Sequence, residues 1–82
     1  MRRRTSLHDA LLEVESGSLT DVARIVVSRR WWDSLPTAMQ DGYQRRCEHH
    51  RIELHADDLI SRHYVEVVGG SGGPPLSTER RI

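Results

Sequence analysis

The chain has 82 residues, which fits one small domain with a modest core. Its 12 basic and 12 acidic residues give a formal net charge of zero. This balance argues against a free-standing nucleic-acid binder, because such proteins usually neutralise phosphate with an excess of basic side chains.

The cysteine content and the hydropathy of the sequence indicate the cellular compartment in which the protein is expected. Cys47 is the only cysteine, so no intramolecular disulfide can form and a reducing compartment is expected. Polar residues such as His8 and Asp9 follow the basic start where a signal peptide would be apolar, and no apolar run is long enough for a membrane span. We therefore predict a cytoplasmic protein that makes no membrane contact.

Codon bias is visible in the composition. All 12 basic residues are Arg, and Lys, Asn and Phe are absent. Because these three residues have codons rich in A and T, their absence predicts a GC-rich source genome, such as that of an actinobacterium or one of its phages.

The first predicted element is a helix over residues 6–15. Ser6 and Asp9 have the spacing of a capping box, in which two side chains satisfy amide donors at a helix N-terminus. An apolar stripe at helical intervals follows and ends before Gly17; its members are Leu7, Ala10, Leu11 and Val14.

The next stretch, residues 18–36, holds a second start signal for a helix. Ser18 and Asp21 repeat the capping-box spacing, and apolar residues recur at helical intervals from Leu19 to Val26. Two alternatives follow. Either Ser28 caps a second short helix after a turn, which makes a helix-turn-helix, or one helix continues to about residue 32.

The segment L-T-D-V-A-R-I-V-V-S-R-R-W-W, residues 19–32, resembles the helix-turn-helix of excisionase-type and MerR-like DNA-binding regulators. The matching positions are Leu19, Thr20, Val22, Ala23, Val27, Ser28 and Arg29. The resemblance implies a regulator of transcription that reads DNA with Arg29, Arg30 and Trp31. Phosphate contacts would then come from Arg24, Arg45 and Arg46.

The adjacent Trp31 and Trp32 are the largest apolar side chains. Adjacent residues on a helix point about 100° apart, so at most one indole can face the core that Val22 and Val26 would face. Either both indoles are partly buried within the monomer, or one is an exposed anchor beside Arg29 and Arg30, a composition typical of interface hot spots. This pair is where we expect contact with a partner.

A third helix is predicted over residues 36–50. Apolar residues at i, i+4 intervals define its buried seam, which consists of Leu35, Met39, Tyr43 and Cys47. Arg45 and Arg46 fall on its outer faces, where they form either a solvated surface or a basic patch.

Residues 51–55 and 64–68 are rich in β-formers and are predicted to pair as a small antiparallel ribbon. The Gly/Pro-rich residues 69–82 are predicted to be a flexible, disordered tail. The predicted fold is therefore mainly α. It consists of a helical hairpin, a third helix and a two-stranded antiparallel β ribbon in one domain over residues 1–68.

The sequence contains few residues that could bind a metal ion or carry out catalysis. Potential metal ligands are Cys47, His50, His55 and His63, but their spacing matches no known zinc motif, so no metal site is predicted. Cys47 is the only candidate nucleophile, and no Gly-rich loop suggests nucleotide binding. We expect no enzymatic activity, no cofactor and no small-molecule substrate.

Two functions remain after these exclusions. One is a small DNA-binding regulator of the helix-turn-helix type. The other is a protein–protein interaction module, either phage-encoded and binding a host protein or acting as a homodimeric adaptor. The residues predicted to bind DNA or a partner are Arg24, Ser28, Arg29, Arg30, Trp31, Trp32, Arg45 and Arg46.

Overall fold

The computed structural model describes residues 2–69 and 80–81 and shows an α/β fold. The elements in chain order are β1 (Arg2–Arg3), α1 (Leu7–Glu15), β2 (Val22–Ser28), α2 (Arg29–Asp33), α3 (Thr37–His49), β3 (Glu53–Asp57), β4 (Val65–Gly69) and β5 (Arg80–Arg81). The strands form one mixed sheet in the order β1-β4-β2-β3-β5. The prediction of a mainly α fold with a two-stranded ribbon is therefore wrong.

The main error concerns β2, which occupies the stretch predicted as the first helix of a helix-turn-helix. Ile25, Val26 and Val27 are each 0% exposed and lie in the centre of the sheet. Three consecutive β-branched residues favour a strand that is covered on both faces. The helical spacing of the earlier apolar residues was therefore misleading, and the predicted helical hairpin does not form.

The position of β2 also corrects the predicted ribbon. β3 and β4 both exist, but β2 lies between them and they do not pair with each other. β2 runs parallel to β3, with Ile25 opposite Leu54, and antiparallel to β4, with Ile25 opposite Val67. The sequence identified these two strands without identifying the partner that separates them.

The positions of the other helices are confirmed, although Met39 of the predicted buried seam of the third helix is 46% exposed. Ser6 caps α1 by accepting a hydrogen bond from the Asp9 amide at 3.1 Å. Ser28 caps the short helix α2 by accepting from the Trp31 amide at 3.2 Å, as the first of the two alternatives predicted. α3 begins after Pro36 and ends at His49.

All three helices contribute to one core against the sheet. Leu11 of α1, Trp32 of α2 and Cys47 of α3 pack in a cluster with Ile25 and Val27 of β2. Since successive side chains of a strand point to opposite faces, Val26 belongs to the other face of the sheet. The strand register places Glu66 of β4 and His55 of β3 on either side of it.

The passage from α3 into β3 is a tight reversal. Arg51 adopts a left-handed backbone conformation with φ 58°, and its N–H donates to the Glu48 carbonyl at 3.0 Å. The Ile52 N–H donates to the Cys47 carbonyl at 2.8 Å. This pair of hydrogen bonds is a Schellman motif, in which glycine usually occupies the left-handed position.

The predicted tail lies largely outside the described residues, because residues 70–79 and 82 are among those not described. At its two ends the structure differs from the prediction. Gly69 is the last residue of β4, and Arg80–Arg81 forms β5 beside β3.

Adjacent leucines on α1 provide a test of this packing. Leu11 is 0% exposed and Leu12 is 46% exposed. We expect Leu11→Ala to lower the free energy of unfolding by about 2 to 5 kcal/mol, because it leaves a cavity in the core. Leu12→Ala should change it by less than about 0.5 kcal/mol. Urea denaturation of both variants measures the difference, and equal losses would contradict this arrangement of α1.

Candidate functional site

The candidate site lies where the parallel strands β2 and β3 end. Ser28 and Asp57 are in register as the last residues of these strands. Because the strands are parallel, the segments that follow them, α2 and the connection over residues 58–64, leave the sheet at the same edge. In open α/β sheets, ligands bind in the crevice at this carboxyl edge.

Two buried side chains stabilise the conformation of the chain at this edge of the sheet. Ser28 is 4% exposed, and its hydroxyl accepts the Trp31 amide hydrogen at the start of α2. Asp57 is 2% exposed, and its Oδ1 accepts from the Leu59 amide at 2.8 Å. Each strand end is thus tied to the first turn of the segment after it, and both segments leave the sheet in fixed directions.

An open cleft of about 700 Å³ lies between these two segments. Its polar lining consists of Ser28, Arg30, Asp58, Ser61 and Arg62, and its apolar lining of Leu59 and Ile60. Hydroxyl, guanidinium and aliphatic groups are therefore present together at one surface. We call the residues that line this cleft the carboxyl-edge surface.

The charges of the cleft are not balanced. Arg29 of α2 contacts Asp58 on the opposite side, with Nη1 3.3 Å from that carboxylate, and its Nε lies 3.7 Å from Asp33 of the same helix. Arg30 and Arg62 are exposed and form no ion pair with any residue that the structure describes. Of the side chains that line the cleft, two are thus positively charged, and the single carboxylate, that of Asp58, is paired with Arg29.

Leu59 is the most exposed large hydrophobic side chain of the described residues, at 70%. Its neighbour Ile60 is only 3% exposed. The Asp57 carboxylate, which holds the Leu59 amide, turns the chain so that only Ile60 reaches the interior.

The Trp pair lies mostly inside the monomer. Trp32 is 5% exposed, and Trp31 is half-buried. Both indoles pack against Tyr43 of α3, with ring centroids 6.0 Å apart for Trp31 and 6.5 Å apart for Trp32. The alternative in which both are partly buried describes them better than an exposed anchor does.

The structure distributes the remaining predicted binding arginines over separate elements. Arg24 lies on β2, and Arg45 is exposed on α3. Arg46 forms a bidentate contact with Glu15 of α1, at 3.1 and 3.0 Å, and lies 3.2 Å from Nδ1 of His8. These hydrogen bonds from Arg46 lower the pKa of the Glu15 carboxyl. Arg46 therefore joins two helices, and of the predicted arginines only Arg30 lines the cleft.

The potential metal ligands do not converge. Among residues 2–69 and 80–81, no group of three or more His, Cys, Asp or Glu side chains is placed to hold a metal ion. His50 lies 3.9 Å from Glu15, while His55 lies 3.2 Å from Glu53 on β3. His63 is in the exposed connection before β4.

Cys47 lines a second, smaller cleft of about 360 Å³ between the end of α3 and the start of β3. It is 1% exposed, and burial raises the pKa of its thiol to about 11. A thiol of this kind is protonated at neutral pH, and only the thiolate is a strong nucleophile or metal ligand. Cys47 is thus a structural core residue.

The sequence analysis did not predict five of the residues that line the cleft, which are Asp58, Leu59, Ile60, Ser61 and Arg62. The signal available was Asp57-Asp58, whose carboxylates indicate a turn that can expose the residues after it. The sequence does not show that β2 and β3 pair, and only this pairing places the turn close to Ser28 and Arg30.

Comparison with known proteins adds no constraint, since no protein-family model, curated sequence or solved structure matches the chain. None of the helices in the described part of the chain combines the length and the hydrophobicity that a bilayer span requires.

The Cys47 thiol makes a prediction for alkaline pH. Its pKa is raised from 9.0 to about 11 in the folded state, so the unfolded chain loses this proton first as pH rises. The free energy of unfolding should therefore decrease between pH 9.0 and about 11, and this contribution is fully present below that range. Urea denaturation across the range should show a steeper decrease for the wild type than for Cys47→Ala, and parallel slopes would contradict the prediction.

Proposed function

We propose that the chain is a small, non-enzymatic protein-interaction module that binds its partner through the carboxyl-edge surface. The exposure of Leu59 carries this proposal, because this large aliphatic side chain is 70% exposed at a cleft that also holds two exposed arginines, neither of which forms an ion pair with a described residue. A single exposed leucine is ordinary on a protein surface. A leucine with available guanidinium groups beside it has the composition of a binding surface.

The rigidity of the strand ends supports the same proposal. Ser28 and Asp57 are buried and hydrogen-bonded to the segments that carry Arg30 and Leu59. Contacts held in place by a scaffold lose less conformational entropy on binding. This surface replaces the Trp pair as the proposed site of partner contact, since Trp32 is occupied within the core.

The proposed absence of catalysis rests on the chemistry of the described residues. The Cys47 thiol is buried with a raised pKa, and Asp58 in the cleft is engaged by Arg29. A nucleophile needs a lowered pKa or an adjacent base. The Cys47 thiol does not meet the first condition, and Asp58 is held in an ion pair with Arg29.

DNA binding stays a prediction that no finding tests. The exposed Arg30 and Arg62 would suit phosphate, but the zero net charge of the chain counts against a partner that is a long polyanion. The reading helix that the resemblance implies would have to be α2, which has only five residues and follows a strand. We therefore favour a protein partner. We place the interaction in the cytoplasm, a proposal that the free Cys47 supports.

Replacement of Leu59 tests the proposal directly. Leu59→Ser should leave the free energy of unfolding within about 0.5 kcal/mol of the wild-type value, because the side chain is already in water. It should weaken partner binding by roughly tenfold or more, as expected for an apolar hot spot. Affinity capture from an actinobacterial lysate, followed by binding measurements with the captured protein, checks this expectation.

Leu12→Ser is the matched control, because Leu12 is an exposed leucine on α1 and does not line the cleft. A partner retained by the wild type and by this control, but lost by Leu59→Ser, supports the proposal. Equal capture by all three proteins would count against the carboxyl-edge surface.

A further inference from the structure

We infer that the carboxyl-edge surface binds an acidic peptide segment, whose carboxylates pair with Arg30 and Arg62 and whose apolar side chain packs on Leu59. This inference rests on the proposed function and specifies the chemistry of its partner. It is based on which charged side chains at the cleft form ion pairs and which do not.

The carboxylates at the cleft are already engaged. Asp58 lies 3.3 Å from Arg29, and the same guanidinium lies 3.7 Å from Asp33. Asp58 is thus paired across the cleft, and Asp33 is paired within α2. The guanidinium groups of Arg30 and Arg62 have no such partner among the described residues, so the lining of the cleft carries two positive charges against the one negative charge of Asp58, on a chain of zero net charge.

Guanidinium groups favour carboxylate partners of defined geometry. A guanidinium group can form two parallel hydrogen bonds to one carboxylate, and such charge-assisted pairs are stronger than neutral hydrogen bonds. The Ser61 hydroxyl also lines the cleft and provides a further polar contact. An acidic segment can therefore satisfy the two arginines, while Leu59 takes an aliphatic or aromatic side chain beside its carboxylates.

A second copy of the chain fits this surface poorly. In a symmetric dimer, the same patch faces itself across the two-fold axis. Each copy would then bring two arginines and one aspartate of the cleft lining to the interface, and this excess of like charge costs binding free energy. The charge pattern consequently favours a different, acidic protein over the homodimeric adaptor.

The two guanidinium groups come from different segments. Arg30 is on α2, and Arg62 is on the connection between β3 and β4. Their relative position is set by the β2–β3 pairing and by the Arg29–Asp58 contact across the cleft. Selectivity for an acidic segment is thus a property of the folded edge and not of one continuous basic motif.

The test uses the full chain and a pool of fluorescent synthetic peptides. Each peptide carries Glu or Asp on both sides of one Leu, Phe or Tyr, and matched pools replace the acidic residues with Gln and Asn or with Lys. We expect the acidic pool alone to bind, with an affinity that falls as salt rises, because the contacts at the rim are ionic.

Charge-removing variants assign this binding to the cleft. The double change Arg30→Gln with Arg62→Gln should weaken binding by roughly 10- to 100-fold, the range expected for lost charge-assisted hydrogen bonds. Arg45→Gln is the matched control, since Arg45 is an exposed arginine on α3 without an ion pair to a described residue. It should bind the acidic pool as the wild type does.

Three outcomes overturn the inference, and they are distinguishable. If the acidic pool does not bind, or binds equally to the double variant, the partner is not acidic. If a captured partner depends on Leu59 but not on salt or on the two arginines, the proposed function stands and only the acidic chemistry is wrong. If duplex DNA binds in a manner that requires Arg30 and Arg62 while the peptides do not, both the inference and the proposed function fail.

Discussion

The fold depends on the burial of the Ile25–Val26–Val27 run in the centre of the sheet. These three side chains alternate between the two faces of β2, and each is completely removed from water. β2 therefore requires a partner on each side, which β3 and β4 provide, and a helical layer over one face. The parallel pairing of β2 with β3 then brings Ser28 and Asp57 to one edge, and the cleft exists because of that pairing.

Local signals in the sequence were sufficient for the elements whose stability is local. Ser6, Ser28 and Pro36 mark helix starts through capping or backbone geometry, and all three helices begin there. β2 was mistaken for a helix because residues from Leu19 to Val26 also satisfy helical spacing. Only long-range pairing with β3 and β4 decides between the two conformations, and a single sequence does not display that pairing.

The candidate site was only partly accessible to sequence reasoning for the same reason. Ser28 and Arg30 were identified, but as members of a predicted helix pair. Leu59 and Arg62 were missed, because their position beside Arg30 follows from the β2–β3 register and not from any local motif. The sequence left open whether both indoles are partly buried or one is an exposed anchor, because it does not show that Tyr43 is the aromatic neighbour that holds the pair inside.

The strand order has a consequence for how the chain reaches this structure. β4 pairs with both β1 and β2, yet the ribosome makes it after both of them and after all three helices. Until β4 emerges, one edge of the apolar strand β2 stays open to other chains, and sheet completion must wait for a contact between distant parts of the sequence. Nascent chains that stop before Val65 should therefore be prone to aggregation and dependent on chaperones during synthesis.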